Sequence, residues 1–405
     1  MDVKEKLIEI LKEGFVCDRC LGRQFAQLLT GLTNGDRGKI LRNYVAMLLD
    51  SEEKIDVDDS NFYGIKFHLR KFDTKKPNRC SICSDVFPEL KKKVKLIIKK
   101  LKKYEYKTFL VGCKLTHGVI EKEQDLWNRV GIYWCESIKT EINRELGKEI
   151  EKITGKVMDR KHPDITILFD INTDEVRLNI RSIYVYGKYQ KLVRGIPQTK
   201  WKKKIFHTSV QDIIEKPFLK QTRSEKSSFH GAGREDINVR CLGWRPFVIE
   251  LVDPRGRKLK LKQIQKEINK SKKVKVKNLK IVERRFVIKL KFTEYDKTYR
   301  ALVEFENPAD NLKRIKVLKD AIIEQKTPIR VLKRRVDKLR RRKVKDIKYR
   351  LISKKKVEFI IKTQAGLYVK ELITGDKGRT EKSISGLINN KVKKIELDVI
   401  KVHSG

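Results

Sequence analysis

Four cysteines arranged as two C-x-x-C pairs place the strongest constraint on how this chain folds. Cys17 and Cys20 form the first pair and Cys80 and Cys83 the second, with residues 21–79 between them. Each short loop sets two sulfurs at chelating distance, so one tetrahedral zinc with four thiolate ligands requires the two pairs to meet in space. A redox role is the alternative for each pair taken alone, but neither lies in a recognisable thioredoxin-like unit. We therefore predict a structural zinc.

The charge of the chain is large and one-sided. There are 97 Lys and Arg residues against 53 Asp and Glu, which gives a formal net charge of +44 and a pI of about 9.9. Such an excess favours a polyanionic partner. A lysine-rich thermophilic proteome is the alternative, but thermophilic enrichment usually adds Glu alongside Lys. We therefore expect a nucleic-acid-binding protein.

Features of a membrane or secreted protein are missing from the sequence. No apolar run approaches the length of a membrane span, and the first five residues do not resemble a signal peptide. No long amphipathic helix with an aromatic face stands out either. We expect a cytoplasmic protein without membrane association, and no obligate protein partner is evident.

The hydrophobic pattern predicts a mixture of helices and strands. With 405 residues, 39% of them hydrophobic, the chain is expected to form two or three folded domains. Helices are predicted over 3–11, 88–106, 127–151, 210–218, 261–269 and 308–323. Strands are predicted over 108–113, 164–170, 176–186, 246–252, 286–292, 298–305 and 357–363. In the second half this alternation indicates a mixed-sheet α+β domain.

The segment with the most site-like composition is FHGAGREDINVRCLG, residues 229–243. Its glycines allow tight turns or close approach to a ligand, and between them lie a carboxylate pair and two arginines. It lacks the third glycine and the Lys-Ser/Thr ending of a phosphate loop. Composition alone favours a charged surface turn.

Three motifs, met in order along the chain, change that interpretation. Arg234-Glu235-Asp236 matches the Arg-x-Asp signature of pseudouridine synthases, and its flanks follow the pattern GREDxxVRxLG and then RPF. The segments QKTPIRVLKRR (325–335) and KTQAGLYVKEL (362–372) match further downstream. Together they resemble the archaeal and eukaryotic tRNA pseudouridine synthases of the Pus ten family.

The resemblance implies an architecture and an activity. The fold would be α+β, with a zinc-containing THUMP-like RNA-binding N-terminal region and a mixed-sheet pseudouridine synthase catalytic domain. We expect a zinc-binding module over 1–95, a THUMP-like domain over 96–212 and a catalytic domain over 213–405. The implied activity is isomerisation of uridine to pseudouridine at positions 54 and 55 in the TΨC arm of tRNA. That reaction needs no cofactor, so zinc would be purely structural.

The resemblance also assigns roles to single residues. Asp236 matches the catalytic aspartate, which has to stay ionised although it is partly buried. Lys370 matches the basic residue placed against that carboxylate, and Arg234 is the second candidate. A phosphate or stacking contact is the alternative for Arg234. Tyr299 matches the tyrosine that stacks on the target base, and Tyr368 the one that precedes the basic residue.

Two basic segments are candidates for contact with RNA. Tyrosines alternate with basic residues over 184–194, a pattern that suits base stacking and phosphate contact, although a core strand is the alternative. Arg194, which opens a family-like RGIPQT loop, is predicted to bind substrate. Residues 326–350 hold thirteen Lys or Arg and only two Asp, a density that an RNA backbone would neutralise. By resemblance this second segment is the thumb-like loop that closes over the target arm; a solvated turn is the alternative.

Other functions are less well supported by the sequence. Another THUMP-bearing enzyme, such as a methyltransferase or a sulfur-transfer enzyme, would need a glycine-rich nucleotide loop, which we do not find. A non-catalytic THUMP-type tRNA-binding protein stays open, and in it Asp236 would be dispensable. The chain also departs from the family pattern at Asn238, where an acidic residue is expected.

Overall fold

The computed structural model describes residues 1–51, 53–69, 71, 73–201 and 206–403. Contacts between residues divide the chain into two compact units, 1–181 and 182–405. In the described part of the chain, no helix is both long enough and apolar enough to cross a membrane.

The first unit combines helices with a four-stranded sheet. Its helices are α1 (Val3–Leu11), α2 (Asp18–Gly22), α3 (Asn34–Asp50), α4 (Val86–Leu101), α5 (His117–Val130) and α6 (Ile138–Thr154). Its strands are β1 (Thr108–Lys114), β2 (Val157–Met158), β3 (Ile165–Asp170) and β4 (Val176–Ile180). The strand order is β2-β1-β3-β4, with β1 parallel to both its neighbours and β4 antiparallel to β3.

The helix α4 shows how the sequence pattern forms this unit. Leu90, Val94, Ile97 and Leu101 recur at helical spacing and are all buried, while most of its lysines are exposed. Burying one such side chain stabilises the fold by about 1.5–3 kcal/mol. The amphipathic helix predicted over 88–106 is therefore confirmed, with its end at Leu101.

Two predicted elements of the first half are each divided in two. The helix predicted over 127–151 is interrupted after Val130, because Gly131 has a φ of 77° and its N–H closes the last turn on the carbonyl of Trp127 at 2.8 Å. The strand predicted over 176–186 ends at Ile180. The chain then continues into a strand of the second unit.

The second unit is built on a nine-stranded sheet. Its helices are α7 (Val210–Thr222), α8 (Leu261–Asn269), α9 (Arg285–Phe292), α10 (Val369–Thr374) and α11 (Ile384–Ile388). Its strands are β5 (Ile183–Lys191), β6 (Lys226–Gly231), β7 (Arg240–Val252), β8 (Val274–Val282), β9 (Lys297–Phe305), β10 (Ile322–Gln325), β11 (Arg340–Ser353), β12 (Lys356–Thr363) and β13 (Val392–Val402). The order is β10-β11-β12-β9-β13-β7-β5-β8, and β6 pairs with β7.

The strand β7 is the hub of this sheet. Its first residues run parallel to β13, whereas its later residues pair antiparallel with both β5 and β6. Gly243 lies where β7 passes close to β13, since a Cβ added there would be 2.8 Å from the Cα of Lys401. Only glycine allows that approach without a shift of backbone.

The strand β5 decides where the second unit begins. We expected the catalytic domain to start at residue 213, but β5 pairs with β7 and β8, so residues 183–191 belong to the second unit's sheet. This boundary is set by the pairing of β5 with strands that are distant in sequence, and no change of composition along the chain marks it. The division of the first unit into a zinc-binding module and a THUMP-like domain stays a prediction.

Two secondary-structure predictions in the second half are wrong. Residues 286–292, predicted as a strand, form the helix α9, which buries Val287 and Leu290 three positions apart. The helix predicted over 308–323 is replaced by a 3₁₀ turn, Leu312–Leu318, followed by β10. In both cases tertiary packing overrides a local preference.

The substitution Gly243→Ala should destabilise the second unit by about 1–3 kcal/mol, because the added methyl group meets backbone that cannot move independently. Urea unfolding monitored by circular dichroism measures the change. Gly118→Ala is the control, since a Cβ at Gly118 meets nothing within 4 Å, and its stability should stay close to that of the wild type. Equal stability of the two variants would contradict this account of β7.

Candidate active site

The loop of residues 232–239, here called the motif loop, joins β6 to β7 and carries Asp236. Its backbone is held by Lys191, the last residue of β5, whose side chain is completely buried. The Lys191 Nζ donates hydrogen bonds to the carbonyl of Asp236 at 3.0 Å, to that of Ile237 at 3.1 Å and to that of Ile196 at 2.9 Å. An ammonium group has three donors, so this environment uses all of them.

Arg194 holds the far end of the same loop. Its guanidinium donates to the carbonyl of Asn238 at 2.9 Å and to Asp398 Oδ1 on β13 at 2.7 Å. Asp398 also pairs with Arg240 and Arg300. Because these contacts engage the guanidinium of Arg194, the structure gives it a part in holding the loop; its predicted contact with substrate stays a prediction.

A fully buried ion pair supports the loop from within the fold. Glu235 Oε2 lies 3.1 Å from Arg245 Nε and accepts a hydrogen bond from the Tyr189 hydroxyl at 2.9 Å. Arg245 also donates to the carbonyl of Ala232 at 2.8 Å. Gly233, with a φ of 77°, lets the loop turn above the guanidinium. Tyr189 is thus buried beneath the loop and unavailable for base stacking.

Asp236 lies between two cations. Its Oδ2 is 3.0 Å from Lys370 Nζ, and its Oδ1 is 3.0 Å from Arg330 Nη1. Burial favours the neutral acid, but the charges of Arg330 and Lys370 and their hydrogen bonds outweigh it and hold the pKa of Asp236 below its ordinary value of 3.8. With 37% of its side chain exposed, Asp236 is both ionised and accessible.

Each of these cations has a second partner. Lys370 donates to Asn238 Oδ1 at 2.8 Å, so the amide that replaces the expected acidic residue helps to orient the lysine. Arg330 donates from Nε to Glu371 Oε1 at 2.7 Å. Glu371 is buried and directly follows Lys370 at the start of α10. Two adjacent residues of α10 therefore supply one of the two cations and the carboxylate that holds the other.

The two tyrosines predicted to hold the base are Tyr299, on β9, and Tyr368, directly before α10. Tyr299 is half-buried on β9, where burial raises its pKa to about 12 and the negative charge of Asp236 contributes to the rise. It is therefore a neutral phenol at physiological pH. Tyr368 precedes α10; its hydroxyl accepts a hydrogen bond from Arg335 at 3.1 Å, and its N–H donates to Gln325 at 2.9 Å. The base-holding roles of both stay predictions.

The surface around the motif loop is strongly basic. Arg234 is exposed and makes no ion pair within the described part of the chain. The segment 326–350 forms a 3₁₀ turn, Ile329–Arg334, a connection and then β11. Many of its cations are exposed, among them Lys326, Lys333, Arg334, Lys338, Arg341 and Lys348. This surface is suited to contact with phosphates.

Sequence reasoning found Asp236 and Lys370 but missed the groups that hold them. Arg330 lies inside the matched segment 325–335 and Glu371 directly follows Lys370, but the sequence offers no reason to assign a role to either of them. Lys191 lies in the basic segment 184–194 and Arg245 in the RPF match, but nothing in the sequence indicates that either is buried, because a buried cation and an exposed one look alike in a basic sequence.

A separate cluster in the first unit can hold a metal. The sulfurs of Cys17, Cys20, Cys80 and Cys83 all lie within 4.8 Å of one another, and those of Cys17 and Cys83 are 3.7 Å apart. Zinc–sulfur bonds of about 2.3 Å in a tetrahedron imply about 3.8 Å between sulfurs. The Cys17 N–H also donates to the Cys80 sulfur at 3.3 Å, as outer-shell donors do at thiolate sites. The four residues fit zinc.

Comparison with known proteins places the chain among pseudouridine synthases that carry a THUMP domain. A family model described as "Pus10, C-terminal" matches residues 184–403, and one described as "Pus10 THUMP domain, archaeal" matches residues 94–170. The chain is 38% identical to the tRNA pseudouridine synthase Pus10 of Pyrococcus furiosus over 99% of this chain and 98% of that protein. Its namesake in Methanocaldococcus jannaschii is 40% identical, over 98% of this chain and 93% of that protein.

The chain belongs to the Pus10 family. The resemblance identified from three short motifs is confirmed, as is the α+β fold class with a THUMP domain and a pseudouridine synthase-like domain. Among solved structures, a chain of a Cbf5-Nop10-Gar1 complex is similar over 52% of this chain and 47% of that chain, with 18% identity and a TM-score of 0.30. That likeness is too distant to carry a conclusion.

The purified protein should contain about one equivalent of zinc per chain by elemental analysis, because the four thiolates complete one tetrahedral shell. Cys17→Ala should lose the metal, since it removes one of the four ligands. Cys113→Ala is the matched control, because Cys113 is a buried cysteine on β1 outside the cluster. A Cys17→Ala protein that retained its zinc would contradict the assignment.

Burial lowers the pKa of Lys191 from its ordinary value of 10.5 to about 8. In the unfolded chain the lysine stays protonated up to about pH 10.5. Between these two values the unfolded state binds more protons, so Lys191 should make wild-type stability rise with pH. Between pH 8 and 9.5, the free energy of unfolding of the wild type should rise by up to about 2 kcal/mol relative to that of Lys191→Met, as measured by urea unfolding. An unchanged difference would show that the ammonium is not buried as described.

Proposed function

We propose that this chain isomerises uridine to pseudouridine in tRNA, at positions 54 and 55 of the TΨC arm, with Asp236 as the catalytic carboxylate. The observation that carries the proposal is the ionised and accessible Asp236 between Arg330 and Lys370. The relatives that match nearly the whole chain are named tRNA pseudouridine synthase Pus10, and an enzyme of that class is an isomerase.

The chemistry requires a carboxylate that is anionic when the ribose arrives. The glycosidic bond is broken, the base turns, and it is rejoined to the sugar through carbon. Whether Asp236 attacks the sugar or removes a ribose proton, only the carboxylate form acts, and the two neighbouring cations keep it in that form. The buried hydrogen bonds of Lys191 to the motif loop fix where the carboxylate stands.

Holding the detached base is a second requirement. Tyr299 lies on β9, and its neutral phenol offers an aromatic face. Tyr368 is fixed through its backbone by Gln325 and through its hydroxyl by Arg335. We assign both to contact with the target base, where stacking on an aromatic ring contributes about 1–3 kcal/mol.

Presenting the nucleotide is the third requirement, since the target uridine has to leave its stack. The exposed cations of residues 326–350, together with Arg234 of the motif loop, offer charge to the RNA backbone. We assign the TΨC arm as the RNA element they contact. The THUMP domain of the first unit adds a second RNA-binding module to the same chain.

Zinc in this proposal has no part in the reaction. The four cysteines belong to the first unit, whereas Asp236 lies in the second, and isomerisation needs no Lewis acid or electron transfer. None of the seven cysteines, all of which lie in the described part of the chain, forms a disulfide, which suits a reducing compartment, and we propose a cytoplasmic location.

The test is release of tritium from an unmodified tRNA transcript labelled at uridine C5, with wild type and Asp236→Asn side by side. The wild type should release tritium, and the variant should be at least about 10³-fold slower, because it lacks the anion while keeping the shape of the side chain. Carbodiimide labelling with primer extension then locates the product in the tRNA. Binding of tRNA without release by either protein would favour a non-catalytic THUMP-type tRNA-binding protein.

A further inference from the structure

Both oxygens of the Asp236 carboxylate are occupied, each by a different cation. Lys370 contacts Oδ2 and Arg330 contacts Oδ1, both at 3.0 Å. The resemblance to the family assigns a basic residue to the position of Lys370. It assigns nothing to Arg330, which comes from a different part of the chain.

Arg330 reaches Asp236 because a second carboxylate fixes its direction. Its Nε lies 2.7 Å from Glu371 Oε1 and its Nη2 lies 3.4 Å from Oε2, while Nη1 points to Asp236. The planar guanidinium can serve two carboxylates at once, which an ammonium on a flexible chain does far less well. Replacing Arg330 by Lys would therefore keep the charge but lose this geometry.

Glu371 is well placed to fix that direction. Only 6% of its side chain is exposed, and its carboxylate is paired with the Arg330 guanidinium. It is adjacent to Lys370 in α10, and α10 therefore supplies one cation directly and aims the other. The four groups, two carboxylates and two cations, sum to no net charge. Such a balanced cluster can keep its members ionised at partial burial.

The backbone of Arg330 is held as well as its side chain. It lies in the 3₁₀ turn Ile329–Arg334, and the N–H of Ile329 donates to Asp376 Oδ2 at 3.0 Å. The same turn opens the exposed basic surface of residues 326–350. The segment proposed to contact RNA thus also supplies a group that contacts the reacting carboxylate.

We propose that Arg330 is a second catalytic cation, which holds the carboxylate of Asp236, and that Glu371 is the positioning residue that aims it. This inference rests on the proposed function, because it takes Asp236 as the reacting group. Arg330 acts by orientation and charge and takes part in no bond that forms or breaks. Among the described residues, the Glu371 side chain hydrogen-bonds to Arg330 and makes no contact with Asp236, so its effect on the carboxylate should pass through Arg330.

The experiment measures the single-turnover rate of tritium release with enzyme in excess, and tRNA binding separately, for Arg330→Ala, Glu371→Gln and the double variant. Arg330→Ala should lower the single-turnover rate by about tenfold or more, as loss of a charged hydrogen bond predicts. Glu371→Gln should lower the rate in the same direction with unchanged tRNA affinity. The double variant should be no slower than Arg330→Ala alone.

Lys316→Ala is the control, because it removes one exposed cation of the second unit that lies outside residues 326–350 and makes no ion pair with Asp236. It should leave both tRNA affinity and the single-turnover rate unchanged. Thermal melting of each variant confirms that it is folded, and Arg330→Lys, with an intermediate rate, separates the loss of charge from the loss of geometry.

The pH profile provides a readout that a purely structural role would not move. Charged or titratable groups around Asp236 are Arg330 and Lys370 in contact, Tyr299 on β9 and Lys191 at the loop backbone. Without Arg330 the carboxylate protonates more easily, so the acid limb of the rate should move to higher pH by about one unit. Lys316→Ala should leave the acid limb of the rate at the wild-type pH.

The outcomes separate the two proposals. Full activity of Asp236→Asn would overturn the proposed function and this inference with it. An inactive Asp236→Asn, together with an Arg330→Ala that loses tRNA affinity but keeps the single-turnover rate, would overturn the inference alone. A double variant slower than Arg330→Ala would show that Glu371 acts independently, and the positioning role would be wrong.

Discussion

The candidate site depends on keeping one carboxylate charged while most of its side chain is removed from water. Burial alone would favour the neutral acid, and the contacts of Asp236 with Arg330 and Lys370 reverse that preference. Those cations would themselves be costly at partial burial without Glu371 and Asn238 beside them. The site is therefore a set of mutually compensating charges, and no member of it can be understood alone.

Buried charged groups also hold the motif loop from beneath. The end residues of the motif loop, Ala232 and Val239, are buried in hydrophobic clusters, and the backbone between them is held by buried polar groups, above all Lys191 and the Glu235–Arg245 pair. Buried charges are poor sources of stability, but they fix geometry, because each hydrogen bond has a direction. The chain uses apolar packing to build the sheet, and it uses charge to fix the loop on that sheet. The exposed cations of residues 326–350 are suited to a different task, contact with a polyanion.

Much of the fold could be predicted from the sequence where local pattern and packing agree. The helix Val3–Leu11 and the helix Leu261–Asn269 have the predicted bounds, since their apolar residues follow the helical period, and a capping box of Asp2 and Glu5 marks the start of the first. The strand predicted over 286–292 is wrong because β-branched and aromatic residues favour a strand locally, whereas packing of Val287 and Leu290 selects a helix. The predicted start of the catalytic domain at residue 213 leaves out β5 for a related reason. Which strand it pairs with depends on register over long distances in sequence, and a period-two pattern does not encode it.

The sequence by itself determined the family, the aspartate, the lysine beside it and the four cysteines that converge in the first unit. Each of these is a short motif, so its meaning is carried by neighbouring residues. Only the tertiary structure decided which cations surround Asp236 and what holds its loop, because Lys191, Arg245 and Arg330 reach it from three separate elements. A hydrogen bond acts over about 3 Å, and whether two residues far apart in the chain come that close is settled by the pairing of strands, not by their composition.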